Sequence, residues 1–228
     1  MIRPGLSLVL LAAALAQAQS RSMTQGRYRM EITLERLDTN TWHTIDPGLV
    51  LAQGDRVRFR YQTNFDGYLY VTNLNSSGAY QQLFPGEETG RDNQVAAGRE
   101  YQVPATSVVF RVAGPPGYET VYWLVTPSRI NEAPVRPQPV SPRNKAATPP
   151  KLMPRCDDSI LRARGDCVDS SAGPKLIPRG VDLPKDLAQA AGQSRRDLLF
   201  MRQEEKSVIA SPEPLTGPVI YEFRLAHK

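Results

Sequence analysis

Between residues 27 and 126 the chain repeats one pattern: apolar and polar side chains alternate, position by position. Met30, Ile32 and Leu34 are interleaved with Arg29, Glu31, Thr33 and Glu35. Val57, Phe59 and Tyr61 are interleaved with Arg56, Arg58 and Arg60. The alternation returns at Tyr101 and Val103, at Val108, Phe110 and Val112, and at Val121, Trp123 and Val125. A period of two is that of a strand with one buried face, whereas a helix needs spacings of three and four. Turn residues punctuate the runs: Pro47-Gly48, Gly54-Asp55, Asp66-Gly67, Ser77-Gly78, Pro85-Gly86, Gly98 and Gly114-Pro115-Pro116-Gly117. Short strands at this spacing predict an all-β fold, an immunoglobulin-like antiparallel β-sandwich.

The aromatic residues map its extent. Of 17 Phe, Trp and Tyr, 14 lie between residues 28 and 123, and the other three are Phe200, Tyr221 and Phe223. Residues 128–199 contain none, yet hold ten of the 20 prolines. Residues 129–179 carry ten Lys or Arg against five Asp or Glu, a surplus equal to the net charge of +5 of the whole chain. Such a stretch has too little apolar surface to order itself as a second domain. Strand alternation resumes over Pro218–Lys228, where Val219, Tyr221, Phe223 and Leu225 share a face. Residues 185–194 suit a short helix. Residues 197–210 fit a helix or a hairpin, and the β-branched Val208 and Ile209, with Pro212 and Pro214 beyond, favour the hairpin.

The amino terminus reads as a secretory signal peptide over residues 1–18. Arg3 supplies the positive region, Leu6 to Leu15 the apolar region, and Ala16-Gln17-Ala18 the cleavage site. No apolar run reaches 18 residues, so no membrane-spanning helix is expected. Export makes Cys156 and Cys167 an expected disulfide, since the pair is the full cysteine complement and oxidising compartments favour bridging. The expected organisation is a signal peptide (1–18), the main part of the sandwich (19–127), a basic, Pro-rich, disulfide-stapled insertion (128–195), and C-terminal strands completing the sandwich (196–228). The localisation that follows is periplasmic or secreted.

Four motifs carry a family resemblance: DGYLYVTNLNSSG (Asp66 to Gly78), QLFPGEE (Gln82 to Glu88), AAGREYQVP (Ala96 to Pro104) and FRVAGPPGYETVYWLVTP (Phe110 to Pro127). In order and spacing they resemble the bacterial domain of unknown function family numbered 4384. The resemblance implies an exported or envelope-associated β-sandwich module of a kind sometimes attached to caspase-like peptidase or kinase domains. This chain resembles a stand-alone version, and the family brings no catalytic residues to carry over.

Candidate chemistry is sparse. There is no G-x-S-x-G elbow, no metal-ligand spacing and no P-loop, and the only histidines, His43 and His227, are expected to be solvated. No catalytic residue, no metal and no cofactor is expected. Arg164-Gly165-Asp166 and the sequon-like Asn75-Ser76-Ser77 are short matches that carry little information. The candidate binding loop is Gly114-Pro115-Pro116-Gly117-Tyr118, at one end of the expected sandwich, with glycines suited to positive φ. Trp42, expected in a turn beside His43, is the candidate exposed aromatic. A sequence pI near 9.3 points to anionic material, an envelope protein or an anionic envelope glycan; the aromatic-free basic segment argues against nucleic acid. The leading expectation is therefore a non-enzymatic, exported binding or accessory module. The alternatives are an exported hydrolase using the turn carboxylates Glu87, Glu88 and Asp92, with Asp157-Asp158 a second acidic pair, and a structural module that pairs through a sheet edge.

Overall fold

The structure, a computed structural model, describes residues 28–76, 78–86, 92–105, 109–130, 153–157, 167–183, 185–194, 197–211 and 217–228. They form two antiparallel sheets packed face to face. The first is built on β1 (Tyr28–Asp38) and β3 (Arg56–Thr63), the two richest runs of alternation. Around them lie β2 (Thr41–Ile45), β7 (Glu100–Val103), β8 (Phe110–Arg111), β11 (Leu199–Gln203) and β12 (Lys206–Ser211). The order is β11-β12-β1-β3-β7, with β2 also on β1 and β8 also on β3. The second sheet comprises β4 (Gly67–Leu74), β5 (Tyr80–Phe84), β6 (Gln94–Val95), β9 (Gly117–Thr126), β10 (Gly173–Lys175) and β13 (Val219–His227). Its order is β10-β13-β9-β4-β5, with β6 on β4.

Alternation turns into layers because successive side chains of a strand point to opposite faces. Met30, Ile32 and Leu34 of β1 and Val57, Phe59 and Tyr61 of β3 point into the core, all at most 1% exposed. From the other sheet come Leu69, Val71, Val121, Trp123, Val125, Val219, Tyr221, Phe223 and Leu225. Trp123 is the centre of this core: its ring meets Phe59 edge-on at 5.4 Å and stacks on Tyr61 at 5.2 Å. Phe59 also meets Phe223 edge-on at 5.2 Å. These contacts join the sheets, and aromatic pairs in such geometries add about 0.5–1.5 kcal/mol each beyond the area they bury. Leu83 and Phe84, at the end of β5, close the core.

Local chemistry sets the turns. The β1–β2 hairpin turns on Thr39 and Asn40, both at positive φ, as a two-residue loop between twisted strands requires. Gly67 opens β4 where a Cβ would meet the Thr126 carbonyl oxygen at 2.9 Å, closer than a side chain tolerates. Residues 197–210 adopt the hairpin: β11 and β12 pair from Leu199↔Ala210 to Gln203↔Lys206.

Part of the stretch read as an insertion is built into the sandwich. β10 pairs with β13, Pro174 opposite Phe223, and Val168 bridges to Leu49. The helix α1 (Lys185–Gln193) lies on the outer face of the six-stranded sheet. There Leu187, Ala190 and Ile177 cover Tyr70, Tyr122, Leu124 and Ile220. The described residues of this segment form no separate core, and they cover apolar surface that the sheet supplies. The Cys156–Cys167 disulfide is formed, and Asp157 N donates to the Val168 carbonyl beside it.

Candidate anion-binding face

The two outer faces of the sandwich differ. That of the six-stranded sheet is covered by α1 and its flanks. That of the seven-stranded sheet carries Glu31, Thr33 and Glu35 of β1, Arg56, Arg58 and Arg60 of β3, and Gln102 of β7, all exposed or half-buried. No cluster of buried apolar residues lies over it among the described residues.

Charge on this face is balanced except in one row. Arg58 Nε donates to Glu35 Oε2 at 2.5 Å and its Nη1 donates to Gln102 Oε1 at 3.0 Å. Arg60 reaches Glu35 at 3.6 Å and Glu100 at 3.2 Å. Arg56 and Arg111 are paired in register across β3 and β8, and both are exposed. Neither has an acidic partner among the described residues. Like charges directly opposite on antiparallel strands oppose pairing.

Trp42 stands on the same face. The structure corrects two expectations here: Trp42 lies in strand β2, not in a turn, and it is half-buried, not free, because the Arg58 guanidinium sits 4.1 Å from the ring centroid. Its neighbour in the sequence, His43, is exposed as expected. The loop before β9 begins three residues after Arg111. Gly114 has φ of 92°, and Gly114, Pro115 and Pro116 are exposed. Gly117 is buried at the start of β9.

Tyr118, the remaining residue of the candidate loop, is tied down. Its hydroxyl donates to Asp169 Oδ2 at 2.5 Å and lies 2.7 Å from Ser171 Oγ. Burial raises its pKa, and the Asp169 carboxylate adds to that. Asp169 also accepts from Arg155 N at 2.8 Å and from Ser171 N at 2.8 Å. Burial pushes its carboxyl up, but the bonds from Ser171, Tyr118 and Arg155 outweigh this and hold it below its ordinary value. Tyr118 is thus a post that anchors the disulfide-bearing segment to β9.

His227 reverses its expectation. It is 1% exposed, at the end of β13, with Nε2 3.6 Å from Oε1 of the equally buried Glu119. Asn73 Nδ2 donates to Glu119 Oε2 at 3.0 Å, and Ser76 N donates to Oε1 at 3.2 Å. The signal was present: His227 continues the inward series Val219, Tyr221, Phe223, Leu225, as Glu119 precedes Val121 and Trp123. At this end the core turns polar.

Other acidic groups are dispersed. Asp92 is exposed and accepts from Gln94 N at 3.4 Å; Glu87, Glu88, Asp158 and Arg164-Gly165-Asp166 lie outside the described residues. No group of His, Cys, Asp or Glu able to hold a metal ion occurs among the described residues. A cavity of about 580 Å³ opens beside the disulfide segment, lined in part by Pro47, Asp157, Asp169, Phe200 and Arg202. Its polar walls are occupied internally: Asp157 accepts from Ser170 N at 3.0 Å, and Arg202 pairs with Asp46. No described helix is long and apolar enough to cross a membrane.

No curated protein and no solved structure matches the chain. Residues 50–129, which hold β3 to β9 and with them Arg56, Arg111 and the Gly114–Tyr118 loop, match the model of the family described as a domain of unknown function, DUF4384, the family its four motifs resemble.

Proposed function

We propose that the chain is an exported, non-enzymatic binding or accessory module of the bacterial envelope, periplasmic or secreted, which holds an anionic partner on the open face of its seven-stranded sheet. The observation that carries this reading is the contrast between the faces: one is covered by the chain's own helix, and on the other, among the described residues, nothing covers the sheet and an arginine row has no acidic counterpart. Exposed loops and open sheet faces on a rigid scaffold are where recognition concentrates, and the Gly114–Pro116 turn stands at the Arg111 end of this one. The disulfide fits an oxidising compartment, and residues 1–18 have the composition of a leader.

The test is affinity capture from envelope extract with the purified chain, at low and high salt, followed by mass spectrometry and glycan analysis. A defined partner retained by the wild type, and weakened by salt as exposed charges are screened, supports the reading. Retention of nothing at either salt concentration removes it.

A further inference from the structure

The Arg56–Arg111 pair deepens that reading, on which it rests, by naming the ligand class. We propose that Arg56 and Arg111 clamp the carboxylate of an acidic sugar, within a linear acidic glycan that lies across the strands and sets a neighbouring ring against Trp42.

Placement comes from register. Trp42 is opposite Leu37 on β1, and Arg56 is opposite Arg111. Arg36 is opposite Val57, so the next position along places Leu37 beside Arg56. Alternation turns all four side chains to the outer face. The row Trp42, Leu37, Arg56, Arg111 therefore crosses four neighbouring strands, a span of about 14 Å at the usual inter-strand spacing. A single small anion does not fill such a row; an extended chain of rings does.

Chemistry favours an acidic sugar. Guanidinium groups present planar forks of N–H donors that match a carboxylate. Two of them facing each other across a strand pair converge on one oxyanion, which also cancels the repulsion between them. The same face neutralises Arg58 and Arg60 with Glu35 and Glu100, so a pair with no acidic partner among the described residues is a local exception on that face. Exceptions of this kind concentrate at functional sites. Arg58, held at once by Glu35, by Gln102 and over the indole, occupies one face of the ring and fixes the pose of Trp42, whose remaining exposed surface is what a sugar ring would meet. Thr44 on the next outward row, and Thr33 and Gln102 on the row beyond it, are neutral hydrogen-bonding groups suited to hydroxyls.

The experiment measures binding of the purified chain to polygalacturonate, with uncharged dextran and with poly-glutamate, a carboxylate polymer without rings, as comparisons. The wild type should bind polygalacturonate and not dextran. R56Q/R111Q should lose at least tenfold in affinity, and W42A should weaken binding to polygalacturonate while leaving poly-glutamate unchanged. R56Q/R111Q should also melt no lower than the wild type, because it relieves a like-charge pair. Failure of the wild type to bind polygalacturonate at low salt overturns the proposal. So does wild-type affinity in R56Q/R111Q, an unaffected W42A, or a lowered melting temperature of the double variant. Capture from envelope extract separates the two ideas. If R56Q/R111Q still captures the wild-type partner, the clamp is wrong and the module reading stands; if the wild type captures nothing, the module reading itself falls.

Discussion

Glu119 and His227 face each other across the ends of β9 and β13, Oε1 to Nε2 at 3.6 Å, with both side chains buried. The carboxylate also takes the Asn73 side-chain amide and the Ser76 backbone N–H. Removing it strands the buried Asn73 amide and takes an acceptor from the half-buried Ser76 N–H, and a buried donor left without an acceptor costs roughly 1–3 kcal/mol. Glu119→Ala should therefore destabilise the fold by about 3 kcal/mol or more. Urea unfolding at constant m-value checks this. A loss below about 1 kcal/mol would mean that the cluster contributes little.

A second prediction concerns acid. Asp169 has its pKa held below 3.8 in the folded chain, the bonds from Ser171, Tyr118 and Arg155 outweighing the effect of burial. A carboxyl depressed in this way stabilises the fold above its unfolded pKa, and that contribution disappears as pH falls through the folded value. The advantage of wild type over Asp169→Asn should thus be constant from neutral pH down to about pH 4 and shrink below it. Tyr118→Phe should move the decline to higher pH, since it removes one of the bonds that depress the carboxyl. An advantage that does not change with pH would contradict both statements.

Glu222 has the opposite sign. Burial raises its pKa above 4.5, and Arg224, 2.7 Å away, together with Lys175 only partly compensates. A raised carboxyl favours the fold while protonated, below its unfolded pKa, and that contribution is lost as pH rises through the folded value. Relative to Glu222→Gln, the wild type should lose stability as pH climbs from about 4.5 through the folded pKa. Parallel thermal melts across that range would reveal it, and parallel curves with no divergence would count against it.

A fourth prediction concerns the family segment. Residues 50–129 contain β3 to β9, but β3 is paired with β1 and β9 with β13, both from outside the segment. Expressed alone, residues 50–129 should lack a cooperative thermal transition, because Phe59, Tyr61 and Trp123 lose the cover of Ile32, Tyr221 and Phe223. A sharp transition in the isolated segment would show that the flanking strands are dispensable.

The core was legible in the sequence because its code is local. A period of two assigns Met30, Phe59, Leu69, Trp123 and Tyr221 to one layer without any knowledge of their partners. His227 obeys the same parity, yet its polarity and its place next to Lys228 suggested solvent. Tyr118 looked like a loop aromatic because its partner Asp169 is 51 residues away in the chain, and such a hydrogen bond leaves no local trace. β10 is three residues long, too short for any periodicity. α1 was expected as a helix, but nothing in Lys185–Gln193 says which surface it covers. The arginine row needed registers: alternation places Arg56 and Arg111 on outer faces, and only the β3–β8 pairing sets them opposite each other.

Chain order and spatial order part company at β13. It follows every other described strand in the sequence, yet it occupies an interior position of its sheet, between β10 and β9. A nascent chain stopped short of Val219 therefore has a gap in the middle of a sheet, not a missing edge. β1, the first described strand, likewise waits for β12 on one side. The contacts that close both sheets therefore join distant parts of the chain, the kind of pairing that slows folding.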